Sequence, residues 1–303
     1  MLSRTRVRHF QHSPCFVSIE PANYCQLHCP ECEVGVNGRP VELRRCIDKA
    51  KVESILHDVS DYAHTVQFFF QGEPTINPEL PDMIAMAHDL KLVTIVSTNA
   101  QLLDRRLARR LVRAGLDKII VSVDGLTQQT YQQYRRGGQL QRALDALRFL
   151  AEEKQAVNSA IEIEMQCLKL KTNQGEWMEF RRVYRRLGAT RLNLKTAQIS
   201  SNENLEMLLP DGTGNSRYII DAKGTPVLRH KLRRRCLRLW RGCVVTTDGA
   251  MLPCCFDKTC RYPFGNVFTH GIHACWTSNK AFAFRQRLLT NRENIDICCN
   301  CTE

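Results

Sequence analysis

Residues 23–32 read NYCQLHCPEC and place three cysteines in the spacing C-x3-C-x2-C. Cys25, Cys29 and Cys32 follow CFVSIEP (15–21), a short apolar run typical of a buried strand. A structural zinc ion or a closed iron–sulfur cluster takes four protein ligands. Three thiolates can instead hold three irons of a 4Fe–4S cluster and leave the fourth iron open. A zinc site completed by His28 or by a distant residue is the alternative.

Beyond this motif the chain alternates between short apolar runs and amphipathic stretches up to about residue 196. The later apolar runs are TVQFFF (65–70), LVTIVST (92–98), KIIVSVD (118–124), AIEIEMQCLKL (160–170) and RLNLKT (191–196). Strands that alternate with helices predict right-handed βαβ units and a parallel sheet. Six such units fit either a partial barrel or a doubly wound sheet, and periodicity does not choose between them.

Cysteine usage bounds the class of protein. The 303 residues include 15 cysteines, of which nine lie between Cys236 and Cys301. Disulfides suit small secreted domains, whereas this chain is larger and shows no signal peptide or membrane-spanning run. Clustered cysteines such as CCNC (298–301) favour metal–thiolate sites in a reducing compartment, and we expect a cytoplasmic protein.

The formal net charge is +12. Such a surface attracts anionic partners, although it also serves solubility. The densest basic run, RHKLRRRCLRLWR (229–241), has none of the aromatic interleaving of RNA-binding segments. Nucleic acid is therefore an unfavoured partner, and the charge mildly favours an anionic small molecule.

Composition divides the chain into four parts. Residues 1–13 are expected to be an N-terminal extension and residues 14–196 the α/β domain. Residues 197–235 are polar, contain Gly and Pro, and are expected to be a linker or loop. Residues 236–303 are expected to be a small cysteine-rich domain, with Asp248-Gly249 at a hairpin turn.

Four further motifs follow the predicted strands in order. They are QGEP (71–74), STNA (97–100), SVDG (122–125) and YQQYRRGG (131–138). Together with C-x3-C-x2-C after the first strand, they resemble the radical S-adenosylmethionine (SAM) superfamily. QGEP departs from that family's Gly-Gly-Glu-Pro only at Gln71. The resemblance implies a partial (β/α)6 TIM-like barrel.

The resemblance also implies a set of site residues. Cys25, Cys29 and Cys32 would hold a 4Fe–4S cluster whose open iron is chelated by SAM. The expected SAM contacts are Gly72, Glu73, Pro74, Asn99, Ser122, Asp124 and Arg135. Reductive cleavage of SAM would then give a 5′-deoxyadenosyl radical that abstracts a hydrogen atom from substrate.

The tail resembles the C-terminal extension of SPASM and twitch radical SAM proteins, a small α+β domain with auxiliary clusters. The resemblance implies a second 4Fe–4S cluster on Cys236, Cys254, Cys298 and Cys301. Because two residues follow Cys301, we expect the twitch form with one auxiliary cluster. A structural zinc is the alternative, and Cys255 and Cys299 are the alternatives within the two cysteine pairs.

We expect an oxidoreductase that acts on a small, anionic or sugar-like molecule, with the auxiliary cluster as electron acceptor. A flavodoxin or ferredoxin is the expected electron donor. Lys195, which ends the sixth predicted strand, and Gln166, on the fifth, are candidate catalytic groups. Two alternatives remain: a peptide-modifying radical SAM maturase, and a non-catalytic iron–sulfur or zinc-binding scaffold or sensor.

Overall fold

The computed structural model describes residues 13–199, 203–212, 214–230 and 236–301. The predicted N-terminal extension lies outside the described residues except for residue 13. In the described ranges, no helix is both long and apolar enough to cross a membrane.

The centre of the molecule is a parallel sheet built in chain order. Its six strands are β1 (Phe16–Ile19), β2 (Thr65–Phe68), β3 (Val93–Thr98), β4 (Lys118–Ser122), β5 (Glu162–Lys169) and β6 (Arg191–Thr196). Each strand pairs in parallel with the next one along the chain. A doubly wound sheet reverses its order at a switch point. The order β1 to β6 has no such reversal, so the partial barrel is confirmed.

Helices connect these strands much as the periodicity predicts. They are α1 (Glu33–Asn37), α2 (Lys49–Val59), α3 (Leu80–Asp89), α4 (Arg105–Arg113), α5 (Gln128–Tyr134), α6 (Leu140–Ala156) and α7 (Trp177–Val183). The side chain of Asp104 caps α4 by accepting a hydrogen bond from Leu107 N at 2.7 Å. Gly115, just past the end of α4, has φ +80° and stops the helix.

The two faces of the strands differ in chemistry. Along β1, Val17 and Ile19 pack in the core with residues of α2, such as Val52. Because side chains alternate along a strand, Ser18 and Glu20 face the barrel interior. On β1, therefore, the interior side carries polar groups and the outer side carries apolar, helix-packing ones.

The C-terminal region joins the same sheet. It contains α9 (Arg238–Arg241), β9 (Gly242–Val245), β10 (Ala250–Leu252), β11 (Gly265–Asn266), α10 (Val267–Trp276), α11 (Asn279–Asn291) and α12 (Asp296–Cys299). β9 pairs in parallel with β1, from Phe16↔Gly242 to Ile19↔Val245. β10 returns antiparallel to β9, so the predicted hairpin is present. One hydrophobic core runs through both regions.

The segment expected to be a linker has structure of its own. It contains α8 (Leu205–Leu208) and an antiparallel hairpin of β7 (Tyr218–Ile220) and β8 (Pro226–Leu228). Residues 200–202, 213 and 231–235 of this segment lie outside the described residues. Polar composition pointed to a loop because strands of three residues give too short an alternation to detect.

Candidate active site

The three motif cysteines lie on the loop between β1 and α1. All three are free thiols, and Cys29 is buried. α1 packs directly on this loop at Gly35, where an added Cβ would lie 2.6 Å from Cys29 O and 2.7 Å from Cys29 N. Glycine is required there because any larger residue would displace the backbone of Cys29.

The QGEP segment packs against the same loop from the end of β2. A Cβ on Gly72 would lie 2.0 Å from Ala22 O, so no side chain fits. Glu73 N donates to Tyr24 O at 2.9 Å. Pro74 then opens a short 3₁₀ turn, Pro74–Ile76. The motif therefore positions the cysteine loop through its backbone.

The Glu73 side chain fastens β2 to β3. It is 3% exposed, and it accepts hydrogen bonds from Thr98 Oγ1 at 2.5 Å, Thr75 Oγ1 at 2.6 Å and Asn99 N at 2.8 Å. Burial raises the pKa of this carboxyl, and the hydrogen bonds from Asn99, Thr75 and Thr98 oppose that rise. Glu73 is thus a buried tie between two strand ends.

Two side chains from distant parts of the chain reach the cysteine sulfurs: Asn99 directly follows β3, and Arg135 ends helix α5. Asn99 Nδ2 lies 3.3 Å from Cys25 Sγ, and Arg135 Nη1 lies 3.7 Å from Cys29 Sγ. Leu27 N also donates to Cys25 Sγ, at 3.4 Å. Such N–H donors stabilise charge on thiolate sulfur.

Arg135 and Asp124 form a buried ion pair behind these cysteines. Arg135 Nε lies 2.5 Å from Asp124 Oδ2, and Asp124 Oδ1 accepts from Leu168 N at 2.6 Å. Burial works against charge on Arg135, but Asp124 and Cys29 hold its pKa well above the usual value. Arg135 and Asp124 were both expected to contact SAM; in this structure they pair with each other.

Asn173 is a buried residue of the site that sequence reasoning missed. Its Nδ2 donates to Asp124 O at 3.0 Å and to Leu168 O at 2.8 Å, and its Oδ1 accepts from Trp177 Nε1 at 2.8 Å. It lies in the 3₁₀ turn Lys171–Glu176, where an amide resembles any loop residue. The only signal in the sequence was its place beyond the end of β5.

The remaining predicted side chains lie on β4, β5 and β6. Ser122 ends β4, is buried, and is the register partner of Gln166 on β5. Gln166 in turn pairs with Asn193 of β6. Lys195 is exposed and lies two residues further along β6. The sheet thus brings Ser122 and Gln166 together and leaves Lys195 nearer the solvent.

The donor set at the cysteine loop fits a 4Fe–4S cluster. Burial is the main cause that raises the pKa of Cys25 to about 12, and negative charge on Glu73, Cys29 and Cys32 raises it further. The three sulfurs are therefore close enough to sense one another's charge. In the described ranges, no three His, Cys, Asp or Glu side chains converge on a point that could hold one metal ion. Cluster thiolates each bind a different iron and need no such point.

The C-terminal cysteines form a second group. Cys236, Cys298 and Cys301 are 7%, 7% and 5% exposed. Burial raises the pKa of Cys254 well above its usual value, and charge on Cys255, Cys236 and Cys298 adds to the rise. Burial likewise raises the pKa of Cys298 to about 12, with further contributions from Cys301 and Cys236. Charge on Cys236 and Cys298 thus acts on Cys254, and charge on Cys301 and Cys236 acts on Cys298, although these cysteines come from three separate segments.

The alternative cysteines face other partners. Cys299 is exposed, and its Sγ lies 2.9 Å from Asp296 O. Cys255 Sγ lies 3.3 Å from Arg238 Nη1. Cys298 is thus the buried member of its pair and Cys299 the exposed one, whereas Cys255 lies next to both Arg238 and Cys254.

Two family models match the chain. The model of the Radical SAM superfamily matches residues 19–163. The model of SPASM, an iron-sulfur cluster-binding domain, matches residues 236–302. The two matches cover the cysteine loop with its strand-end motifs and the C-terminal cysteine group.

Curated relatives match at modest identity. A PqqA peptide cyclase of Gluconobacter oxydans is 28% identical over 260 residues, which are 80% of this chain and 70% of that protein. An Fe-coproporphyrin III synthase of Methanosarcina barkeri is 29% identical over 102 residues, or 34% of this chain and 25% of that protein. A PqqA peptide cyclase of Granulibacter bethesdensis is matched over 29% of its length. Several relatives are therefore longer than the part that this chain matches.

Solved structures share the fold. SuiB of Streptococcus suis bound to S-adenosylmethionine gives a TM-score of 0.70 at 16% identity, over 98% of this chain and 73% of that one. BtrN in complex with AdoMet and 2-DOIA gives a TM-score of 0.58 at 19% identity, over 95% and 93%. At such identities the likeness is one of fold.

Proposed function

We propose that this chain oxidises a substrate after abstracting a hydrogen atom from it. The premise is that the chain belongs to the radical SAM superfamily and carries a SPASM domain. The observation that carries the proposal is the cysteine loop after β1, whose sulfurs meet Asn99 of β3's end and Arg135 beyond β4. An ordinary structural metal site has no need of such donors from a strand end and a helix end elsewhere in the barrel.

The two domains imply SAM, a SAM-binding 4Fe–4S cluster and auxiliary iron–sulfur binding. Cys25, Cys29 and Cys32 would hold the first cluster, and Cys236, Cys254, Cys298 and Cys301 an auxiliary one. Bound there, SAM and a reduced cluster would supply the chemistry that abstracts a hydrogen atom from substrate. The auxiliary cluster supplies a one-electron acceptor.

The chain's own residues position and shield this chemistry. Gly72 lets the backbone after β2 approach the cysteine loop. The buried carboxylate of Glu73 accepts a hydrogen bond from Asn99 N and so holds this backbone close to the end of β3. Asp124 orients Arg135 toward Cys29. Gly72, Glu73, Pro74, Asn99, Ser122, Asp124 and Arg135 are the proposed SAM contacts. Of these residues, Glu73, Asn99, Ser122 and Asp124 are buried, which would keep water away from the reacting groups.

A small polar molecule, anionic or sugar-like, is the first candidate substrate. The net charge of +12 supports it. Peptide modification is the second candidate and is equally compatible with the comparisons, because relatives matched over most of this chain include PqqA peptide cyclases. A flavodoxin or ferredoxin is the proposed electron donor.

The test is anaerobic. The protein is reconstituted with iron and sulfide, SAM and dithionite are added, and 5′-deoxyadenosine is measured beside a Cys25→Ala, Cys29→Ala, Cys32→Ala variant. We expect about eight irons in the wild type and about four in the variant, with 5′-deoxyadenosine formed only by the wild type. Fully loaded protein that leaves SAM intact would overturn the proposal in favour of a scaffold or sensor.

A further inference from the structure

A cavity of about 670 Å³ opens between the loop that follows the cysteine motif, the end of β2 and the β9–β10 hairpin. Cavities of roughly 300–1,000 Å³ suit small-molecule ligands. Its lining includes Glu20, Arg39, Gln71, Thr247, Lys258 and Cys260. It therefore lies between the predicted SAM-binding half and the C-terminal cysteine-rich half of the molecule.

Glu20 is the buried carboxyl of this cavity. It follows β1 directly and lies on the interior side of the barrel, with Ser18. Gln71 N donates to its Oε1 and Thr247 N to its Oε2, both at 3.3 Å. The carboxyl group is 3% exposed, and these two backbone donors hold it in place.

Burial is the main cause that raises the pKa of Glu20 to about 7. The backbone donors from Thr247, Gln71 and Gly72 and the charge of Arg39 oppose the rise. A general base works best when its pKa lies near the working pH. Of the earlier candidates, the Gln166 amide has no basic group.

We infer that this cavity receives the substrate and that Glu20 accepts the proton lost when a substrate alcohol or amine is oxidised. The inference rests on the proposed function. It assigns the substrate class as a molecule with an O–H or N–H group on the carbon that loses hydrogen.

Removing two electrons from such a group requires three acceptors. The C–H hydrogen leaves as an atom to the 5′-deoxyadenosyl radical, and the O–H or N–H proton passes to the Glu20 carboxylate. The remaining electron passes to a one-electron acceptor, an oxidised iron–sulfur cluster. A C=O or C=N double bond forms from the two bonds broken, so atoms and electrons balance.

Other charged groups also face the cavity. They are Glu33, Arg39, Arg45, Asp248 and Lys258, from α1, the loop after it, the β9–β10 turn and the loop after β10. Cys260 is exposed and lines the same cavity. Burial is the main cause that raises its pKa to about 11, and negative charge on Asp257, Glu20 and Asp248 raises the pKa further. This thiol is therefore a natural reporter of the ionisation of Glu20.

The experiment labels Cys260 in the cluster-loaded protein. A permanently cationic methanethiosulfonate (the ethyltrimethylammonium) and an anionic one of similar size (the ethylsulfonate) are compared, with the Cys260 peptide quantified by mass spectrometry from pH 5.5 to 8.5. Thiolate formation affects both reagents alike and cancels in their rate ratio. We expect the cation/anion ratio to rise roughly five- to ten-fold with a midpoint near pH 7.

Glu20→Gln is expected to abolish this titration, whereas Glu33→Gln, which removes another carboxylate of the cavity, leaves it in place. Iron content and circular dichroism establish that each variant is folded; the wild-type profile tests the inference even if Glu20→Gln does not fold. A flat wild-type ratio, a Cys260 that neither reagent reaches, or an unchanged titration in folded Glu20→Gln would overturn the inference. Loss of SAM cleavage in the wild type would instead overturn the proposed function, so the two failures are distinguishable.

Discussion

The two cysteine groups of this protein are built in different ways. Cys25, Cys29 and Cys32 share one loop of eight residues, and donors from the end of β3 and the end of α5 approach the sulfurs of Cys25 and Cys29. Cys236, Cys254, Cys298 and Cys301 come from three segments, and three of the four are nearly inaccessible to solvent. The difference indicates that the properties of the first group depend on long-range polar contacts, and those of the second mainly on burial.

The largest expected effect separates the two groups. Cys236→Ala with Cys298→Ala is expected to remove about half of the iron while reductive SAM cleavage continues. Cys25→Ala with Cys29→Ala is expected to remove a similar amount of iron and all SAM cleavage. Iron analysis and 5′-deoxyadenosine assays measure both. Equal loss of SAM cleavage in the two variants would show that the groups do not act separately.

Glu73→Gln should lower the stability of the protein at the cysteine loop of Cys25, Cys29 and Cys32. The amide cannot accept all the hydrogen bonds that the carboxylate takes from Thr75, Thr98 and Asn99. Hydrogen bonds to a charged group are worth about 1.5–3 kcal/mol, so we expect a loss near 2 kcal/mol and a fall in the thermal midpoint of roughly 5 °C. Glu53→Gln, on the exposed side of α2, is the control and should change little. A thermal midpoint equal to that of the control would show that the Glu73 hydrogen bonds do not stabilise the junction of β2 and β3.

Asn99→Ala tests whether the polar contact at Cys25 affects the reduction potential of the first cluster alone. It removes the N–H donor 3.3 Å from Cys25 Sγ. Hydrogen bonds to sulfur raise cluster reduction potentials, so the potential of the SAM-binding cluster should fall by on the order of tens of millivolts. The auxiliary cluster should keep its potential and serve as the internal control in a redox titration followed by paramagnetic resonance. A shift shared by both clusters would contradict the assignment.

The smallest effect is expected at Asp296, beside the C-terminal group. It accepts from Tyr262 Oη at 2.6 Å and pairs with Arg261 Nη1 at 2.6 Å. The Tyr262 hydrogen bond is the main cause that lowers the pKa of Asp296. This stabilisation is therefore present at neutral pH and is lost as the pH falls through the lowered pKa.

Asp296→Asn should cost less than about 1 kcal/mol at pH 7, because the pair is largely exposed. The cost should shrink toward pH 3, as measured by thermal unfolding of both proteins at the two pH values. A cost of several kcal/mol would mean that polar contacts, as well as burial, hold the second group together.

The sequence predicted the parts of the molecule that local patterns encode. The six strands, the main helices and the hairpin at Asp248-Gly249 follow from periodicity and turn chemistry. The strand order, which favours a partial barrel, depends on pairing between distant residues and came from the resemblance to a family. The β7–β8 hairpin was missed because its strands have only three residues each.

The candidate site divides in the same way. Cysteine spacing and strand-end motifs located the loop and Glu73, but they gave no sign that Arg135 would turn to Asp124 and Cys29. Glu20 and Asn173 were missed because each is a common polar residue outside any motif. What distinguishes Glu20 and Asn173 is that both are buried. This burial arises only when β2, β9 and the turn after β5 pack around them, so it cannot be predicted from the local sequence.

The parallel pairing of β9 with β1 has a consequence for synthesis of the chain on the ribosome. Glu20 and Thr247, whose contact continues this pairing, are 227 residues apart. The outer edge of β1 therefore lacks its neighbour during nearly the whole of translation, and an open strand edge invites pairing with other chains. We expect the nascent barrel to need protection by chaperones, and a chain truncated before residue 236 to aggregate.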